Sequence, residues 1–212
     1  MHVSGQPGAD GRGATASRPT QAERRARSRS ALLESAARGL SRYGYGHLRL
    51  EEVAREAGYT RGALYHQFPD KEALVLATVE WVHETWSAEV GRTFDEDLEP
   101  VSALVTLARR HAIYCRRDVA GVMAALRVEF GAREHPIGAA VRAIMVDLIA
   151  RAQALIEAGR EQGTIPPGPT ARTLAGASLA AIEAAVIALT GHTEDDEEVA
   201  ERVVRGLIAV PR

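Results

Sequence analysis

The sequence predicts an all-α chain of about nine helices, with a three-helix amino-terminal unit and a larger helical unit behind it. Three features predict it. Apolar residues recur at three- and four-residue steps along most of the chain, most clearly at Ile137, Val141, Ile144, Met145, Leu148, Ala152, Leu155 and Ile156. Thr, Asp or Pro opens these stretches and Gly or Pro closes them. The stretch Leu50 to Glu72, LEEVAREAGYTRGALYHQFPDKE, reads as two short helices across a tight turn and the start of another helix.

Residues 1–19 are rich in Gly, Ser, Ala and Pro with no periodicity, and are expected to form a disordered arm. Residues 20–70 are expected to hold the three-helix unit and 71–212 the larger one. Thr20 and Glu23 make a capping box that opens the first helix. Leu33, Ala36, Ala37 and Leu40 are its inner stripe, and Gly44 and Gly46 end it. Arg24, Arg25, Arg27 and Arg29 cluster at its start. Such a run is by default a solvated turn; beside the elements that follow it reads as a phosphate contact.

In the second helix Leu50, Val53, Ala54 and Ala57 share one face. Gly58 permits a left-handed turn, and the Thr60 hydroxyl can cap the next helix. Ala63 and Leu64 point inward there, leaving Arg61, Gly62, Tyr65 and His66 outward. This is a helix-turn-helix, whose second helix enters a DNA major groove. Arg61 suits guanine O6 and N7, Gly62 lets the backbone approach closely, and Thr60 with its helix N-terminus suits phosphate. Tyr65 and His66 lie about one turn beyond Arg61; packing against the first helix is the alternative for Tyr65. Phe68 is assigned to the core, and Asp70 caps the next helix.

The combination AGYTRGALYHQFPDKEAL resembles the tetracycline-repressor (TetR) family of one-component regulators. Gly44-Tyr45, Val53-Ala54, Ala57-Gly58, Thr60-Arg61-Gly62, Leu64-Tyr65, Phe68 and Lys71-Glu72-Ala73-Leu74 carry the resemblance, which spans roughly Leu32 to Leu76. It implies that Tyr65 and Lys71 sit where phosphate or thymine contacts are common. Arg49 departs from the pattern, since a Ser or Thr commonly caps the second helix. An Arg cannot accept a backbone hydrogen bond, so it touches phosphate or is merely exposed. The resemblance also implies a pseudo-palindromic operator, a homodimer, and a small-molecule cavity in the second unit.

The fourth helix is expected from Lys71 to about Thr93. Leu74, Ala77, Trp81 and Thr85 line one of its faces, and Val75, Val79, Val82 and Trp86 another, as in an element packed between two bodies. Pro100 opens the fifth helix, ending near Arg117. Asp118 caps the sixth, which stops at Gly131. Pro136 opens the seventh, and the run Pro166-Pro167-Gly168-Pro169 follows it. Thr170 caps the eighth, apolar from Leu174 to Leu189. Thr193 opens the ninth, with Val199, Val203, Leu207 and Ile208 as its stripe.

The eighth helix carries many small residues, Ala177, Ala181 and Ala184 among them. A helix apolar all round must be buried all round, so it and the ninth, through Val199, Val203 and Leu207, are expected to pair with a second subunit.

Ligand contacts are sought among Trp81, Trp86, His111, Tyr114, Cys115, Met123, Phe130 and Met145, with core packing the plainer reading of each. His111 and Cys115 lie one turn apart, which is half a metal site at most. With no second Cys and no paired His, no metal and no cofactor are expected. Arg127 and Glu183 interrupt apolar helices. They would pair with each other, hold a polar ligand group, or meet the dimer partner.

Charge separates the two ends of the chain. Residues 1–72 carry twelve Lys/Arg against eight Asp/Glu, and 73–212 carry fourteen against twenty. The basic end is the end with the DNA reader. Cys115 is the sole cysteine, which fits a reducing cytoplasm. No apolar run is expected to span a bilayer, and the start lacks a signal peptide's apolar segment. No P-loop, GxSxG, HExxH or glycine-rich nucleotide turn nominates an enzyme. A ligand-independent DNA-binding regulator, or an activator, of the same fold is the alternative; the second unit of a ligand-independent factor would be solid.

Overall fold

The computed structural model describes residues 20–131, 133–189 and 194–208. The arm at 1–19 and the Thr193 cap lie outside the described residues. The described elements are nine α-helices and a short 3-10 turn. They are α1 (Gln21–His47), α2 (Leu50–Glu56), α3 (Arg61–Gln67), α4 (Lys71–Glu89), α5 (Pro100–Cys115), α6 (Val122–Phe130), α7 (Pro136–Glu161), α8 (Ala171–Ala188) and α9 (Asp196–Leu207).

Local signals place most helix ends. The Thr20 and Glu23 capping box forms, and Thr60, Asp70 and Thr170 each accept a backbone N–H at the start of α3, α4 and α8. Between α2 and α3, Tyr59 N–H donates to Ala54 O at 2.8 Å and Gly58 N–H to Arg55 O at 3.1 Å. That paired closure requires a left-handed residue, which Gly58 supplies at φ 78°. The buried Ser35 hydroxyl donates to Val53 O at 3.1 Å and ties α1 to α2.

One apolar core lies under α1–α3 and continues without a break into the next elements. Leu32, Leu40, Val53 and Leu64 share it with Leu74 of α4, Leu126 of α6 and Ile137 of α7. A second core joins α5, α7, α8 and α9 around Ala108, Ile156, Ile182 and Val204. A smaller one gathers Trp86, Leu107, Tyr114 and Leu148.

Several expectations are corrected. α4 stops at Glu89, and Gly91–Asp95 tightens into a 3-10 turn against the Trp86 ring. Asp118 does not cap α6, which starts at Val122 behind Gly121; Asp118 instead meets Arg42 of α1 at 3.2 Å. α1 reaches His47, but across a break at Gly44, where φ is 69°. α8 is buried on one side only, through Leu174, Ala175, Ser178 and Ile182, while Ala177 and Ala184 are exposed. α9 packs through Ala200, Val204 and Ile208, so Val199, Val203 and Leu207 lie half-buried beside that seam. Against expectation, α8 is long and apolar enough to cross a membrane, with mean hydropathy 1.4 over 18 residues. It nevertheless packs on α5, α7 and α9.

A Cβ at Gly58 would meet nothing within 4 Å, so the cost of Gly58→Ala is the left-handed backbone alone. Denaturant unfolding is expected to show a loss of about 1–2 kcal/mol. An unchanged midpoint would mean that the turn reshapes freely.

Candidate nucleic-acid interface and cavity

The outward face of α3 is built by the inward one. Leu64 is fully buried and Phe68 nearly so, which turns Arg61, Gly62, Tyr65 and His66 to the surface; Ala63 is only half-buried. Gln67 Nε2 donates to Ser28 Oγ at 2.9 Å, and the Arg29 guanidinium lies 4.7 Å from the Phe68 ring centre, fastening α3 to the start of α1. Arg24 and Arg25 are exposed on that part of α1.

Arg61 is not idle in the free protein. Its guanidinium lies 3.0 Å from Glu51 of α2 and 5.3 Å from the Tyr65 ring centre. Both are exposed contacts, worth little in water and readily exchanged for a base edge. Thr60 is exposed at the head of α3, and Arg49 is exposed at the head of α2 with no side-chain cap. Lys71 is half-buried, with its ammonium 4.5 Å from the Tyr45 ring centre; burial lowers its pKa. It stands at the seam between the reader and α6, less free than a surface phosphate contact.

Behind the reader lies a cavity of about 900 Å³, walled by α4, α5, α6, α7 and α8 and closed on one side by the end of α1. Trp86, His111, Tyr114, Cys115, Met123, Met145 and Glu183 line it. Trp81, Phe130 and Arg127 do not. Trp81 packs on the first core, and Phe130 is buried in it against Tyr45 and His135. Arg127 pairs with Glu183, resolving the alternatives for those two charges in favour of a mutual ion pair.

The polar groups of the cavity are ordered by a donor chain. Trp86 Nε1–H donates to His111 Nδ1 at 2.9 Å. An indole only donates, so His111 is neutral with its proton on Nε2, which lies 3.4 Å from Cys115 Sγ. Burial agrees, holding the imidazole down at about 4 and pushing the thiol up to about 12. Tyr114 hydroxyl meets Val82 O at 3.2 Å and Thr85 Oγ1 at 2.9 Å. Among the described residues no three His, Cys, Asp or Glu gather as a metal site would require.

Sequence reasoning missed Glu129. Its carboxylate, on the cavity wall, accepts the Tyr45 N–H at 2.7 Å and the Gly46 N–H at 2.9 Å. These N–H groups follow the break at Gly44. A helix interrupted by two glycines leaves donors in need of an acceptor, and that was the available signal. Beside this clamp, His135 Nε2 lies 3.5 Å from Glu72.

The sequence profile of "Bacterial regulatory proteins, tetR family" matches residues 32–78. The regulator CymR of Pseudomonas putida is 43% identical over 67 residues, 32% of this chain and 33% of CymR. The A-factor receptor protein of Streptomyces griseus is 29% identical over 139 residues, 64% of this chain and 45% of the receptor. This chain thus aligns with between a third and a half of the length of those relatives. The solved complex of AibR with isovaleryl coenzyme A and operator DNA superposes with TM-score 0.70 at 20% identity, covering 87% of this chain and all of AibR. At that identity the likeness speaks for the fold.

The His111 value lies below the ordinary 6.5, so the unfolded chain binds the extra proton between the two. This contribution to stability is therefore whole above pH 6.5 and is lost as pH falls toward 4. Denaturant titrations across that window are expected to show the loss, and His111→Gln is expected to flatten it. The same slope in the variant would place the titrating group elsewhere.

Proposed function

The chain belongs to the TetR family of bacterial regulatory proteins, and on that premise we propose that it is a dimeric transcriptional repressor, released from operator DNA in the cytoplasm by a small molecule in its cavity. The observation that carries this is the Glu129 clamp, which makes one wall of the cavity also the support of the DNA-reading head.

The head offers Arg61 to a guanine edge, Tyr65 and His66 beside it, and Thr60, Arg24, Arg25 and Arg49 to phosphates. Lys71 joins them if it leaves Tyr45. The partner subunit is met by the small face of α8, exposed Ala177 and Ala184 with half-buried Ala181, and by Val199, Val203 and Leu207 of α9 beside it. A two-fold pair built there sets two heads for half-sites about 34 Å apart.

A molecule filling the cavity pushes on α6. Glu129 then withdraws from Tyr45 and Gly46, and the head tilts about the Gly44 break. Two heads out of register no longer fit both half-sites. Operator must in turn weaken the small molecule by the same factor. A ligand-independent regulator of this fold needs no such cavity, and its size favours the responsive reading.

A footprint of the purified protein on its own upstream DNA tests the reading. Paired protected half-sites, lost on adding an effector, are expected; no protection at any site would sink it. Arg61→Ala is expected to relax preference at one base pair per half-site by about 1–3 kcal/mol, while Arg25→Ala weakens all sequences alike. Equal effects of the two on operator and random DNA would overturn that division. Glu129→Ala is expected to weaken operator binding roughly tenfold with no small molecule added, since charge-assisted hydrogen bonds are lost. Unchanged affinity would exclude the clamp as the route.

A further inference from the structure

The charged side chains on the cavity wall already have partners. Glu183 holds Arg127, and Glu129 holds two backbone N–H groups. Arg117 meets Glu89 at 2.6 Å, Arg116 meets Asp196 at 2.8 Å, and Asp118 meets Arg42. An anionic ligand would have to break one of these pairs or lie beside two carboxylates with no cation of its own. A cationic ligand would have to displace Arg127 from Glu183. Either way a charge is desolvated without compensation.

Two of the neutral donors are spent as well. Trp86 N–H is given to His111, and the Tyr114 hydroxyl lies within hydrogen-bond reach of Val82 O and Thr85. Not spent are the Ser41 hydroxyl, buried without a partner, the His47 and His83 rings, and His111 Nε2–H. The neighbour of His111 Nε2–H is the Cys115 thiol, a weak acceptor, and a better one would displace it. Much of the remaining wall is aliphatic or thioether, with Val82, Leu107, Met123, Met145, Leu148 and Leu179 among its residues.

We propose that the cavity takes an uncharged molecule bearing an apolar chain and one carbonyl-type acceptor, which His111 Nε2–H holds. This deepens the effector reading and rests on it. The neutral imidazole follows from the Trp86 hydrogen bond, so His111 offers the same donor between pH 6 and 8, well above the value of about 4 to which burial holds it.

Calorimetric titration of the DNA-free protein tests it with eight- and eleven-carbon methyl ketones and the carboxylates and primary amines of the same lengths. At each length the ketone is expected to bind about tenfold or more tightly than either charged partner. His111→Phe, which removes the donor, is expected to cost the ketone about five- to tenfold, and His111→Gln, which keeps one, to restore most of it. A carboxylate or amine that binds best, absence of binding by any ketone, or equal affinity in wild type and His111→Phe would each overturn the proposal. Should His111→Phe fail to fold, the comparison among the three head groups in the unaltered protein still decides. Failure of the effector reading shows differently: the ketone binds, and the footprint does not change.

Discussion

A carboxylate meeting two backbone N–H groups joins the halves of this molecule. Glu129 and its partners lie more than eighty residues apart in the chain. The break at Gly44 leaves donors that the helix can no longer satisfy, and an ionised acceptor from α6 satisfies them. Apolar packing between α1 and α6 brings the groups within reach, but it is non-directional. The hydrogen bonds supply direction, so a displacement of α6 has a defined consequence for α1. Lys71 over Tyr45 and His135 beside Glu72 crowd the same seam. Reader and cavity are therefore neighbours sharing a wall, and one apolar core runs between them.

Electrostatics divides the labour. The basic amino-terminal end concentrates exposed guanidinium groups around α3, held in place by weak contacts that water or a phosphate can replace. In the second half, arginines are committed to carboxylates across helices, as Arg109 is to Glu197 and Glu201, and Arg116 to Asp196. Asp196 is held below the usual carboxylate range by the Arg116 guanidinium. Among the described residues, the arginines on the cavity wall are each matched by a carboxylate.

Much of the local structure was legible. Thr20, Thr60, Asp70 and Thr170 cap as their side chains allow, and Gly58 turns as only a residue without a Cβ does freely. The outward set on α3 followed from the inward placement of Leu64. The end of α4 and the start of α6 were missed, because Gly91 packing on Trp86 and the pairing of Asp118 with Arg42 are decided across the fold. Among ligand candidates, composition alone could not separate Trp86 from Trp81. Both lie on α4; which one faces empty space depends on where α5 and α7 fall.

The sequence by itself determined the helical class, four of the caps, the turn before α3 and the sign of charge at each end. Those depend on neighbours within a few residues, whose hydrogen bonds and dihedral preferences act wherever the chain goes. Tertiary structure decided that Glu129 clamps α1, that Arg127 and Glu183 pair, that one face of α8 stays bare and that a cavity stands beside His111. Each of these is a meeting of groups distant in the chain, and only the packing of whole helices against one another determines which of them come within reach.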